Sequence, residues 1–175
     1  MPERRARLLL LALPMALAAC DLAPVYSAGS AGPAAQMLGA ITVDPIPERH
    51  GYLLRERLLA RLDQGTATPS GARYRLSVRL DDRIDGFGVR GDNSIIRQRR
   101  TLRARWQLIE AGAKAPIIDA TASADAGIDV VGSEYATLAA ETSAAARLAD
   151  QIAADIVARI ALHARTAAAA PREAR

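Results

Sequence analysis

Between positions 73 and 81 polar and apolar residues alternate one for one. Tyr74, Leu76, Val78 and Leu80 stand against Arg73, Arg75, Ser77, Arg79 and Asp81. Period-two alternation predicts a strand with one buried face and one wet face. The pattern returns over residues 97–109, where Leu102, Ala104, Trp106 and Leu108 oppose Thr101, Arg103, Arg105 and Gln107. Extending that parity backwards puts Arg97 and Arg99 on the polar face. A third run, residues 117–126, sets Ile118, Ala120, Ala122, Ala124 and Ala126 against Asp119, Thr121, Ser123 and Asp125. Gly86, Gly88 and Gly91 predict a loop over residues 85–94, and residues 111–116 predict a turn. Connections this short favour an antiparallel meander.

Two stretches repeat at helical spacing instead. Leu54, Leu58 and Leu62 recur every fourth residue, widened by Leu53 and Leu59, so a helix is expected from Pro47 to Asp63, closed by Gly65. Ser133 can cap a second helix running to about His163, with Leu138, Ala145, Leu148, Ile152, Ile156 and Ile160 as its apolar stripe. Ile41-Thr42-Val43 predicts a short strand stopped by Pro45 and Pro47. The fold class that follows is α+β, a two-layer sandwich with two helices on one face of a four-stranded, mostly antiparallel sheet, in the order β-α-β-β-β-α. The domain spans residues 40–165, and residues 166–175 read as a disordered tail.

The N-terminus carries a different signal. Arg4, Arg5 and Arg7 precede an apolar run from Leu8 to Ala19, shorter than the roughly 20 residues of a membrane-spanning helix. This is the layout of a secretory signal peptide, residues 1–19. Leu17-Ala18-Ala19-Cys20 places small residues before the chain's single cysteine and resembles the lipobox of bacterial lipoproteins. The resemblance implies cleavage before Cys20, acylation of that residue, and attachment to a membrane through its acyl chains. Residues 20–39, rich in Pro, Gly, Ser and Ala, then read as a lipid-anchored flexible tether. Within it Leu22-Ala23-Pro24-Val25-Tyr26 can fold back onto the domain or lie at the membrane interface.

Composition narrows the function. Removing residues 1–19 from 175 leaves 156 residues, one domain, and lowers the formal charge from +4 to +2. No G-x-S-x-G elbow, Walker loop or H-E-x-x-H occurs, so no enzyme, cofactor or metal site is expected. His50 and His163 read as surface histidines at helix ends. Asp81, Asp82 and Asp85 lack ordered cation-loop spacing and read as a solvated loop.

The polar sheet face holds the remaining chemistry. Arg73, Arg75 and Arg79 on one strand neighbour Arg97, Arg99, Arg103 and Arg105 on the next, against Asp81, Asp119 and Asp125. Like charges across a sheet repel, so the face is either solvated and partly salt-bridged or an anion-binding surface using forked guanidinium contacts. For an exported domain the anions are phosphorylated lipids and lipopolysaccharide, not nucleic acid.

A lipobox, the short apolar motif at residues 22–26, the strand and Ile-Pro-Glu-Arg helix start of residues 41–49, the strand Arg99-Arg100-Thr101-Leu102-Arg103-Ala104-Arg105-Trp106 and a long alanine-rich last helix occur in this order. Together they resemble the LptE family of lipopolysaccharide-assembly lipoproteins, above all its alphaproteobacterial forms. The resemblance implies a non-catalytic lipoprotein of the outer membrane, on the periplasmic side, which plugs the LptD β-barrel and aids insertion of lipopolysaccharide into the outer leaflet. It also implies a two-helix, four-stranded sandwich and lipid attachment at Cys20. The alternative is an auxiliary lipoprotein of an ABC-type phospholipid transport system. Asp21, directly after Cys20, resembles the inner-membrane retention signal of enterobacterial lipoproteins and bears on that choice.

Overall fold

The computed structural model describes residues 32–62, 71–89, 95–130 and 132–169. The signal segment, Cys20, Asp21, residues 22–26, Gly65 and residues 170–175 lie outside the described residues. The elements run α1 (Pro33–Leu38), β1 (Ile41–Val43), α2 (Arg49–Arg61), β2 (Tyr74–Val89), β3 (Ile95–Glu110), β4 (Pro116–Asp129) and α3 (Glu134–Ala169). The sheet order is β1-β2-β3-β4. β1 runs parallel to β2, and the β2–β3 and β3–β4 pairs are antiparallel. This is the α+β sandwich that the alternation predicts, with the helices packed on one face.

Parity decides which side chains enter the core. Leu76, Val78, Leu102, Ala104, Trp106, Leu108 and Ala122 are buried beneath the helices. Trp106 is fully enclosed, opposite Val78 and Ala120 in the ladder. From α2 come Leu54, Leu58 and Leu59, and from its C-cap Leu62. From α3 come Leu148, Ile152, Ile156 and Ile160, interleaved with Ala144, Ala145, Ala149, Ala153, Ala161 and Ala164. Small residues on both α3 and β4 let the helix lie close to the sheet. The 36 residues of α3 make a helix about 54 Å long.

Five expectations are corrected. Part of the expected tether, residues 33–38, is helix α1, begun at Pro33 and packed on α3 through buried Ala34 and Leu38. The glycines of the expected 85–94 loop do not end the strand, because β2 pairs with β3 as far as Val89; ladder pairing overrides a weak local preference. The last helix continues through Thr166 to Ala169 instead of giving way to a tail at 166. Leu138, placed on the apolar stripe, is 58% exposed, and burial along α3 begins only at Ala144. At the start of α2, Glu48 takes the left-handed region with φ 69°, so the helix begins after Pro47 and not at it.

Candidate functional site

The odd-numbered residues of β2 and β3 point away from the helices, so the seven predicted arginines share one exposed face. They do not form one cluster. The register pairs Arg79 with Arg105, Asp81 with Arg103, Asp85 with Arg99 and Phe87 with Arg97. Arg73 lies beside the opposite end, next to β1. At about 3.4 Å per residue, the ladder from Arg73 to Arg97 spans some 45–50 Å.

Most of these charges have partners on the sheet. Arg97 meets Asp129 at 2.9 Å, Arg105 meets Asp119 at 3.2 Å, Arg99 meets Asp125 at 4.0 Å and Arg75 meets Asp44 at 4.0 Å. Arg83, absent from the predicted set, also lies on this face and pairs with Asp85 at 2.9 Å. The Arg99 guanidinium stands 5.5 Å from the Phe87 ring, and that of Arg73 5.8 Å from the Tyr74 ring. The Asp119 carboxyl is held below its usual pKa by hydrogen bonds from Arg105 and Gln107. Arg73, Arg79 and Arg103 have no carboxylate within 4 Å among the described residues. Around Arg79 and Arg105 the surface dips into a polar depression of about 190 Å³, with Ser77 and Gln107 as its other walls. Two guanidinium groups directly opposed, one of them unpaired, are a place where an anion lowers the repulsion.

A second polar cluster lies on the core side and was missed by the sequence reading. Arg100 is 5% exposed. Its Nε and Nη2 donate to the two Asp82 oxygens at 2.9 and 2.6 Å, and Nη1 donates to the Glu141 carbonyl at 3.1 Å. His50 Nδ1 lies 2.8 Å from the same carboxylate. Burial and the nearby Arg100 charge lower the His50 pKa more than Asp82 raises it, so the neutral ring donates Nδ1–H to Asp82. Asp82 is therefore a partner of two side chains and not part of a solvated loop, and His50 is no bare surface histidine. The available signal was parity: Arg100 and Asp82 fall on even, core-facing positions, where a charge needs a partner. Beside the cluster a cleft of about 370 Å³ opens between α2, α3 and β2, with Tyr52, Ile84 and Leu138 exposed along it.

Among the described residues no group of three His, Cys, Asp or Glu side chains is placed to hold a metal ion. No helix among them is long and apolar enough to cross a membrane.

Comparison with known proteins adds the family. No curated protein matches the sequence. The fold is similar to that of a lipoprotein from Caulobacter crescentus CB15, with 27% identity, a TM-score of 0.63, and coverage of 80% of this chain and 99% of that one. It is similar also to a minor lipoprotein from Acinetobacter baumannii, at 15% identity and TM-score 0.53 over 70% of this chain and 90% of that one. The rare lipoprotein B from Shewanella oneidensis shares the fold at 11% identity and TM-score 0.51, over 75% and 98% of the two chains. The family LptE, described as lipopolysaccharide-assembly, matches residues 38–160, from the end of α1 to the last buried isoleucine of α3. The chain belongs to the LptE family.

Proposed function

We propose that the protein is a non-catalytic subunit of the machinery that delivers lipopolysaccharide to the outer leaflet, lodged against the β-barrel of LptD. Cys20, once acylated, anchors it to the outer membrane on the periplasmic side. The central arginines of the exposed sheet face, Arg79, Arg103 and Arg105, meet lipopolysaccharide phosphates, while Arg73, Arg75, Arg97 and Arg99 flank them along the ladder.

Family membership over residues 38–160 supports the assembly role. In this chain's own residues the carrying observation is Arg79 directly opposite Arg105, with no carboxylate of its own among the described residues. A planar guanidinium offers two parallel donors to a phosphate, and a strand holds it at fixed spacing. Such a role requires shape and charge, and no nucleophile or base.

The test is purification of the acylated protein from detergent-solubilised envelopes. The LptD barrel is the expected companion, and depletion of the protein strands lipopolysaccharide in inner compartments. Recovery with an inner-membrane ABC transporter instead overturns the reading and moves the protein to phospholipid transport.

A further inference from the structure

β4 ends the sheet, so one side of its 14 residues has no neighbouring strand among the described residues. The ladder fixes which main-chain groups face that open side. The Ala111 N–H donates to the Arg73 carbonyl, continuing the register that pairs Tyr74 with Glu110 and Arg75 with Ile109. Odd residues of β2 and β3 therefore exchange hydrogen bonds with each other, and even residues of β3 turn theirs towards β4. The bond from the Asp44 N–H to the Leu76 carbonyl agrees, since it shows even residues of β2 facing β1. On β4 the even residues are the ones opposite even β3 residues, as in Leu102 with Ala124 and Ala104 with Ala122. The odd residues Asp119, Thr121, Ser123, Asp125, Gly127 and Asp129 thus aim their N–H and C=O groups outward. None of these groups has a backbone partner beyond the ladder among the described residues.

Open edges are commonly blunted by proline, lysine, a bulge or a covering segment. Here the proline is at the first position, and the ladder irregularity is confined to Leu108/Ile109, beside it. Every outward residue beyond is small or acidic. β2 beyond Leu76 also has no neighbour on its β1 side among the described residues, with Gly88 at φ 76° near its end.

We infer that the β4 edge accepts an extended segment of a partner protein as a fifth strand, one carrying Arg or Lys at alternate positions. Main-chain pairing supplies the attachment, and side chains at every second position select the partner. Asp119, Asp125 and Asp129 choose its charge, because they share the outward positions and stay exposed while ion-paired with Arg105, Arg99 and Arg97. Each carboxylate has about four acceptor sites; Asp119 uses three of them, for Arg105 and Gln107, and Asp129 one, for Arg97. A second copy of this chain brings three further carboxylates to the seam, which like-charge pairing disfavours. The inference does not depend on lipopolysaccharide binding at the arginines.

Residue-resolved hydrogen exchange of the full chain with a synthetic peptide of about ten residues alternating Arg and Thr tests it. The amides of Thr121, Ser123 and Asp125 should slow about tenfold or more, and a Glu–Thr peptide should leave them unchanged. The same Arg–Thr peptide N-methylated at alternate amides keeps its charge but loses its donors, and it should give no protection. Equal protection by the N-methylated peptide, no protection by any peptide, or protection that rises with protein concentration alone overturns the inference.

Discussion

Arg100 on β3 and Asp82 on β2 meet on the core side of the sheet in a two-pronged contact, Nε to Oδ1 at 2.9 Å and Nη2 to Oδ2 at 2.6 Å. The pair also reaches both neighbouring helices, α2 through His50 and α3 through the Glu141 carbonyl. It ties α2 and the N-terminal part of α3 to the β2–β3 ladder at one point. A buried pair of this kind is neutral as a unit and costly when halved, since the survivor is a desolvated charge.

Arg100→Ala or Asp82→Ala alone should lower stability by about 3–5 kcal/mol. The double change Asp82→Leu with Arg100→Met, which removes both charges and keeps volume, should cost far less. Urea unfolding of the three variants checks this. Equal losses in the single and double variants would mean packing, not charge, is what the pair contributes.

Acid should weaken the same junction. The unfolded chain protonates His50 near its ordinary value of 6.5, whereas the folded chain resists because of burial and Arg100, with Arg49 adding to that and Asp82 and Glu48 opposing it. Below 6.5 the unfolded state binds more protons, so this contribution is complete above pH 6.5 and is lost as pH falls towards the lowered folded value. Urea midpoints at about pH 7.5 and about pH 5.5 should differ more for the wild type than for His50→Gln.

Gly51 is needed for close approach. A Cβ there would lie 2.7 Å from Ile46 Cγ2 and 2.9 Å from the Ile46 carbonyl oxygen. Gly51→Ala should therefore destabilise by about 1–3 kcal/mol, although alanine favours helix elsewhere. A rise in thermal midpoint would show that α2 can shift away from Ile46 without loss.

Along α3, Ile152→Ala or Ile156→Ala should each cost about 2–5 kcal/mol, because both are fully buried. Leu138→Ala should change stability by no more than about 0.5 kcal/mol, as expected of an exposed position. Calorimetry on the three variants separates the two ends of the helix.

Charge reversal distinguishes the arginines. Arg79→Glu and Arg103→Glu should weaken binding of purified lipopolysaccharide by tenfold or more, about 1.4 kcal/mol, with the far-ultraviolet circular dichroism unchanged. Arg97→Glu, at the hairpin end and paired with Asp129, should have a smaller effect. Equal effects at all three positions would point to net charge and not to a local site.

By itself the sequence determines the layers. Alternation in Tyr74–Leu80 and Leu102–Leu108, and fourfold spacing in Leu54–Leu62 and Leu148–Ile160, are local properties that assign each residue a face, and the solvent enforces them. It therefore also assigns the seven arginines to one exposed face. Tertiary structure decides what those faces meet. Register, a property of two strands, spreads the arginines into a ladder and brings Arg79 opposite Arg105. It carries β2 through Gly86 and Gly88, where local propensity reads a loop. The parity of Arg100 marks a buried charge, but its partners stand 18 and 50 positions away, and nothing local names them. α1 is decided the same way: its six residues cannot hold a helix alone, and α3 supplies the surface that buries Ala34 and Leu38.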